Sequence, residues 1–138
     1  MYNYGRKYIN IADRRATDVF LRNTYDKYAE NVKDFSQRID AIFTDEPALM
    51  EMYIDWKPYP EGHKYAAVSW AEGLEERFFR RYGYDLLPRI RDLFGGEDER
   101  ARLTRIHYRQ TLAKAVAEAW FCKIGNWCRE HGVCSAGH

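Results

Sequence analysis

The sequence predicts an α/β fold: a partial (β/α)8 barrel with about three parallel strands joined by long crossover helices. Three observations point there. Short β-prone runs alternate with stretches of helical periodicity, the order that favours a parallel sheet with right-handed crossovers. A long aromatic loop follows the second run, and the sequence stops immediately after the third. Three strands cannot close a barrel, which takes about 250 residues, and the chain has 138. The expectation is one incomplete catalytic-barrel segment over residues 1–138, against the alternative of a small open α/β domain.

The first strand is expected near 8–11, where Tyr8-Ile9-Asn10-Ile11 is β-prone, with Asp13 as the N-cap of the helix that follows. Ala16, Val19, Phe20, Thr24, Tyr28 and Val32 then recur at spacings of three and four, giving that helix one apolar face. The second strand is expected near 39–43 and is closed by Pro47, which cannot donate to a sheet ladder. Residues 48–70 form an irregular stretch carrying Tyr53, Trp56, Tyr59 and Trp70. Loops of that length inside compact domains tend to be functional.

Helical periodicity resumes over Ala71 to Tyr82, stops at Gly83, restarts over Leu86 to Phe94 and stops again at Gly95-Gly96. The longest helix is expected over 98–130. Its expected buried face is Leu103, Ile106, Gln110, Ala113, Ala117, Trp120, Ile124 and Trp127, and Gly132 is placed to end it in a left-handed conformation. The third strand is expected near 133–136.

With 22 Lys+Arg against 21 Asp+Glu, the formal net charge is +1 and the two signs are interspersed. Such a chain carries no long-range field for a polyanion, so neither nucleic acid nor a membrane surface is an expected partner. No apolar run approaches the ~18–20 residues of a spanning helix, and no signal-peptide core follows the polar N-terminus. A cytoplasmic location is expected. Cys122, Cys128 and Cys134 lie six apart with no C-x-x-C pair, and are expected to be buried or partly buried free thiols.

In parallel α/β folds, chemistry gathers at the carboxyl ends of strands. Asn10 with Asp13, then Asp45-Glu46, then His138 fall at such ends. Asp45 and Glu46 are adjacent on extended chain, so only one points squarely into a strand-end crevice. A carboxylate desolvated there beside another acid would have its pKa raised and serve as a general acid. The structural alternative is that Asp45 caps a turn and Glu46 pairs with an arginine. The loop aromatics, Trp56 and Tyr59 among them, either stack on sugar rings or form a satellite core beneath the loop. His107, His131 and His63 carry less information.

The run Ile39 through Phe43-Thr44-Asp45-Glu46-Pro47, the later Arg81-Tyr82-Gly83-Tyr84-Asp85-Leu86-Leu87-Pro88, and the closing Trp120-Phe121, Asn126-Trp127, His131-Gly132 and Ser135-Ala136-Gly137-His138 resemble bacterial glycoside hydrolases of the family 106 α-L-rhamnosidase type. The resemblance covers nearly the whole chain. It implies an internal slice of a (β/α)8 catalytic barrel that hydrolyses O-glycosyl bonds, with a carbohydrate substrate. Two carboxylates flank the scissile bond in such enzymes. By position, Glu46 is implied as the general acid, and Asp45 as a neighbour that tunes it or binds a sugar hydroxyl. Asn10, Trp56, Tyr59 and His138 are implied to bind substrate.

Asp45 stands where the larger clan of retaining glycosidases has asparagine, and an ionised aspartate cannot donate to a sugar hydroxyl as that amide does. No residue among Glu51, Asp55 and Glu61 is selected as the second carboxylate, so the chain alone is expected to be inactive. No metal site and no cofactor are expected, with a divalent cation such as calcium as the alternative. A rival reading is a non-catalytic α/β module that binds carbohydrate or a protein partner, self-associating through unpaired sheet edges. A weaker third is a metal-dependent hydrolase using Asp45, Glu46 and His138.

Overall fold

The computed structural model describes residues 8–49 and 67–137. These form two compact units. One comprises residues 9–48 and 116–138, the other residues 1–8 and 49–115. Helix accounts for 61% of the described residues, and the only sheet among them has two parallel strands. The expected partial barrel with three parallel strands is therefore incorrect.

The missing strand is the one expected near 8–11. Asn10 turns the chain there: its Oδ1 accepts from the Ala12 N–H at 3.1 Å and its carbonyl accepts from the Asp13 N–H at 3.0 Å. Local bonds of this kind offer the backbone an alternative to a ladder, and β-propensity does not outweigh them. The turn delivers Asp13 as the N-cap of α1 (Arg14–Asn23), where its carboxylate accepts from the Arg15 N–H at 2.9 Å.

In the first unit, α1 gives way at Thr24 to α2 (Tyr25–Asn31). Thr24 has non-helical φ and ψ, and its hydroxyl donates back to the Phe20 carbonyl. The short α3 (Phe35–Arg38) leads to β1 (Ala41–Thr44). The chain returns through a π-helical turn (Ala117–Phe121) and α6 (Cys122–Glu130) to β2 (Cys134–Gly137). The strands pair in parallel with Ala41 opposite Cys134 and Thr44 opposite Gly137. The second and third expected strands thus exist, displaced by one or two residues. Gly132 has φ 70° just beyond α6, as its place in the sequence suggested.

Aromatic rings hold α1 and α2 to the returning helices. Phe20 meets Trp120 at 5.0 Å, and Tyr25 meets Trp127 edge-on at 5.2 Å. The Trp127 Nε1–H donates to Asp26 Oδ1 at 2.6 Å, and Lys123 pairs with Asp18 while also donating to the Arg14 carbonyl. The buried positions of the first two helices are Thr17, Leu21 and Tyr25, whereas Val19 and Tyr28 of the expected apolar face are exposed. The burial stripe runs at successive steps of four, one residue out of phase with the expected face.

The second unit contains α4 (Leu74–Tyr82), a 3-10 helix (Leu87–Leu93) and α5 (Glu99–Val116). Phe78, Leu74 and Leu86 are buried on one side and Ala101, Thr104, Tyr108 and Leu112 on the other. Arg105 closes the 3-10 helix, donating to the carbonyls of Asp92 and Gly95 at 2.8 Å and of Gly96 at 2.9 Å. Asp92, itself buried, accepts from Thr104 and Arg100 at 3.3 Å. The expected face of the long helix is correct only toward its C-terminal end: Leu103, Ile106, Gln110, Ala113 and Ala117 are exposed, while Trp120, Ile124 and Trp127 are buried. Alternating steps of three and four drift about 20° per heptad against an α-helix, so one such stripe cannot stay on one face over this length. The π turn shifts it further.

His107 is clamped within this unit. Its ring stacks on Tyr82 at 3.7 Å and its Nδ1 lies 3.0 Å from the Tyr84 hydroxyl, while Tyr82 donates to Gln110 at 2.6 Å. Burial first, and the positive charge of Arg81 second, hold the imidazole below its ordinary pKa. The unfolded chain therefore takes up this proton first on acidification. The contribution is fully present above about pH 6.5 and is lost as the pH falls through the lower folded value. Thermal unfolding followed from pH 8 to pH 5 is expected to show a steeper loss for the native chain than for His107→Gln; equal slopes would assign the effect elsewhere. Separately, Trp127→Phe is expected to cost about 2 kcal/mol in urea unfolding, since it removes a hydrogen bond to a carboxylate.

Candidate functional site at the strand ends

The parallel register sets the site. Because β1 and β2 run together, their carboxyl ends lie side by side, with Thr44 opposite Gly137 and the acidic pair Asp45-Glu46 following directly. The approach is close: a Cβ built on Gly137 would sit 2.3 Å from the Thr44 carbonyl oxygen. Only glycine lets the two backbones meet at that point.

Glu46 has φ 39°, in the left-handed region, immediately before Pro47. A residue with a Cβ incurs about 1–2 kcal/mol there, and the pre-proline position is already restricted. The strand therefore ends in a forced change of direction at the candidate acid, and such departures cluster at functional positions. Both Asp45 and Glu46 are exposed.

The strand end is fixed from α2. The Tyr25 hydroxyl lies 3.1 Å from Thr44 Oγ1, and the Tyr25 ring is buried between Phe20 and Trp127. Burial raises the Tyr25 pKa, the Thr44 bond opposing it, so the phenol stays neutral through the physiological range. Sequence reading missed this residue. Its signal was faint: Tyr25 lies one position past Thr24, on the face that the expected helix turned to solvent.

Among the other expected site residues, Asn10 stands in the same unit, its Oδ1 engaged in the turn before α1. Trp56, Tyr59 and His138 lie outside the described residues, as does most of the aromatic loop. Trp70 is described and stacks on Tyr108, whose hydroxyl donates to the Ser69 carbonyl. Among the described residues there is no group of three or more His, Cys, Asp or Glu that could hold a metal ion. All three cysteines are free; Cys128 is buried, but Cys122 and Cys134 are exposed, contrary to the burial expected of them. No helix among the described residues is long and apolar enough to cross a membrane.

Comparison with protein-family models, with curated proteins and with solved structures finds no match. Tyr25→Phe keeps the ring and removes the hydroxyl that reaches Thr44 on β1, so it is expected to cost about 1 kcal/mol. Amide NMR shift changes should be concentrated at residues 43–46; changes confined to the α2 surroundings would detach Tyr25 from the site.

Proposed function

We propose that the chain carries the acid-bearing segment of a glycoside hydrolase acting on α-L-rhamnoside-like bonds, with Glu46 as general acid. The single observation that carries the reading is the placement of Asp45-Glu46 at the joint carboxyl end of two parallel strands, with Glu46 held in a left-handed turn before Pro47. In the proposed reaction the Glu46 carboxyl gives its proton to the glycosidic oxygen as the C–O bond to the sugar breaks and the alcohol leaves; water supplies the new bond at the anomeric carbon and the proton that replaces the one given up. Asp45 binds a sugar hydroxyl as an acceptor. Asn10, in the same unit as the strand ends, offers a polar contact to substrate. The chemistry is proton transfer, and no cofactor forms part of the proposal.

Consecutive carboxylates on one strand end cannot flank a scissile bond from opposite sides. Glycosidases hold the two groups about 5–5.5 Å apart when retaining and about 6.5–9.5 Å apart when inverting, on different backbone segments. The second carboxylate is left unassigned, and the chain alone is proposed to be inactive. The three free thiols support a reducing, cytoplasmic setting for it.

A second reading, a non-catalytic module that binds through its sheet, is favoured by the exposure of β2 along its whole length and of Phe43, 58% exposed on β1. Open strand edges of this kind accept further strands.

Titration with L-rhamnose, followed by amide NMR, is expected to shift residues 44–46 and 135–137 saturably, and Glu46→Gln is expected to weaken binding several-fold. No saturable shift at these residues would reject the sugar site in favour of the second reading. Hydrolysis of an aryl α-L-rhamnoside by the native chain, lost in Glu46→Gln, would confirm the acid and overturn the proposed inactivity.

A further inference from the structure

Within the unit of residues 49–115, α4 and the turn that follows it enclose an open cavity of about 660 Å³. That volume lies in the range of small-molecule sites. Leu86 is fully buried at its base, while Phe79 and Leu87 expose about half of their surface at its rim, 50% and 57%. Apolar area left open in a concavity is a surface that gains by being covered.

The polar part of the lining is biased. Glu75, Glu76 and Asp85 face a single guanidinium, Arg80, and no hydrogen bond or ion pair joins these four side chains to other described residues. The Oε2 atom of Glu75 is shielded from solvent with no hydrogen-bond partner. A carboxylate oxygen removed from water without a donor is costly, and it is compensated when a donor or positive charge arrives. A neutral apolar occupant would leave that oxygen unsatisfied. An anion would meet three carboxylates.

We propose that this cavity binds an organic cation, an ammonium or guanidinium group on an apolar stem, with the stem against Phe79, Leu86 and Leu87 and the charge beside Glu75. The inference is independent of the strand-end site: none of its residues belongs to β1 or β2, and it stands if Glu46 proves to have no part in catalysis. A free amine and a lysine side chain on a peptide share this chemistry, and the same experiment separates them.

The test is amide NMR titration of the full chain with hexylamine, with hexan-1-ol, and with a capped Leu-Lys dipeptide. Hexylamine is expected to shift residues 79 and 86–87 saturably, with hexan-1-ol at least tenfold weaker. Tighter binding of the dipeptide than of hexylamine identifies a peptide side chain as the natural occupant; weaker binding identifies a free amine. Glu75→Gln preserves shape and is expected to weaken hexylamine at least tenfold. Leu87→Lys, at an exposed position, sets an internal ammonium at the rim and is expected to weaken it as strongly, without relying on the folding of the first variant. Equal binding of hexylamine and hexan-1-ol, the absence of saturable shifts in the native chain, or native-like hexylamine binding by Leu87→Lys would each overturn the proposal.

Discussion

Two four-residue strands make too few hydrogen bonds to hold each other, so the parallel pairing of β1 with β2 rests on the helices that connect and cover them. Parallel strands cannot be joined by a hairpin; they need a long crossover. Here α6 delivers the chain to β2 through Gly132 just beyond its end, and the Trp127 indole on α6 is tied to Asp26 on α2. The same helix α2 sends Tyr25 to Thr44 on β1. Each strand is thus anchored to a helix, and the two helices are anchored to each other by the Tyr25–Trp127 ring contact. The direction of the acidic strand end follows from that circuit.

The other unit adds to its ring contacts, Tyr82 on His107 among them, a set of donors that meet carbonyls at the end of the 3-10 helix. Arg105 reaches three carbonyls with two guanidinium nitrogens, a geometry a lysine ammonium cannot reproduce because it lacks the planar fork. Asp92, buried beneath it, is satisfied by Thr104 and Arg100. The segment between α4 and α5 therefore keeps a defined path despite having only a short 3-10 helix of its own.

Much of the first unit was legible in the sequence. Asp13 as a cap, the two short strands and the glycine after the long helix each depend on chemistry within a few residues of the position concerned. The turn that replaces the strand expected near Tyr8 was not legible, because Asn10 competes for the same backbone and propensity does not reveal which partner a side chain takes. The burial stripes were misread for a different reason. Thr17 and Thr104 are fully buried, yet as polar residues they do not register in an apolar count. Each hydroxyl is turned back onto a helix carbonyl, of Asp13 and Arg100 respectively, which removes its cost in a packed interface. Of the candidate site, Asp45 and Glu46 were visible as a strand-end pair. Tyr25, which holds that end, was hidden by its distance of 19 residues from Thr44.

The exposed cysteines have a practical consequence for the oligomeric state. Cys134 opens β2 at the edge where another strand would pair, and Cys122 is exposed at the start of α6. In air, thiols in such positions are oxidised to disulfides between molecules, so a preparation kept without reductant accumulates covalent dimers. Burial raises the pKa of the Cys128 thiol, the Ser135 bond opposing it, which makes that third sulfur a poor nucleophile beside the other two. Mass measured with and without a reductant therefore divides covalent cross-linking from association through the strand edge, and only the reduced sample reports on the sheet.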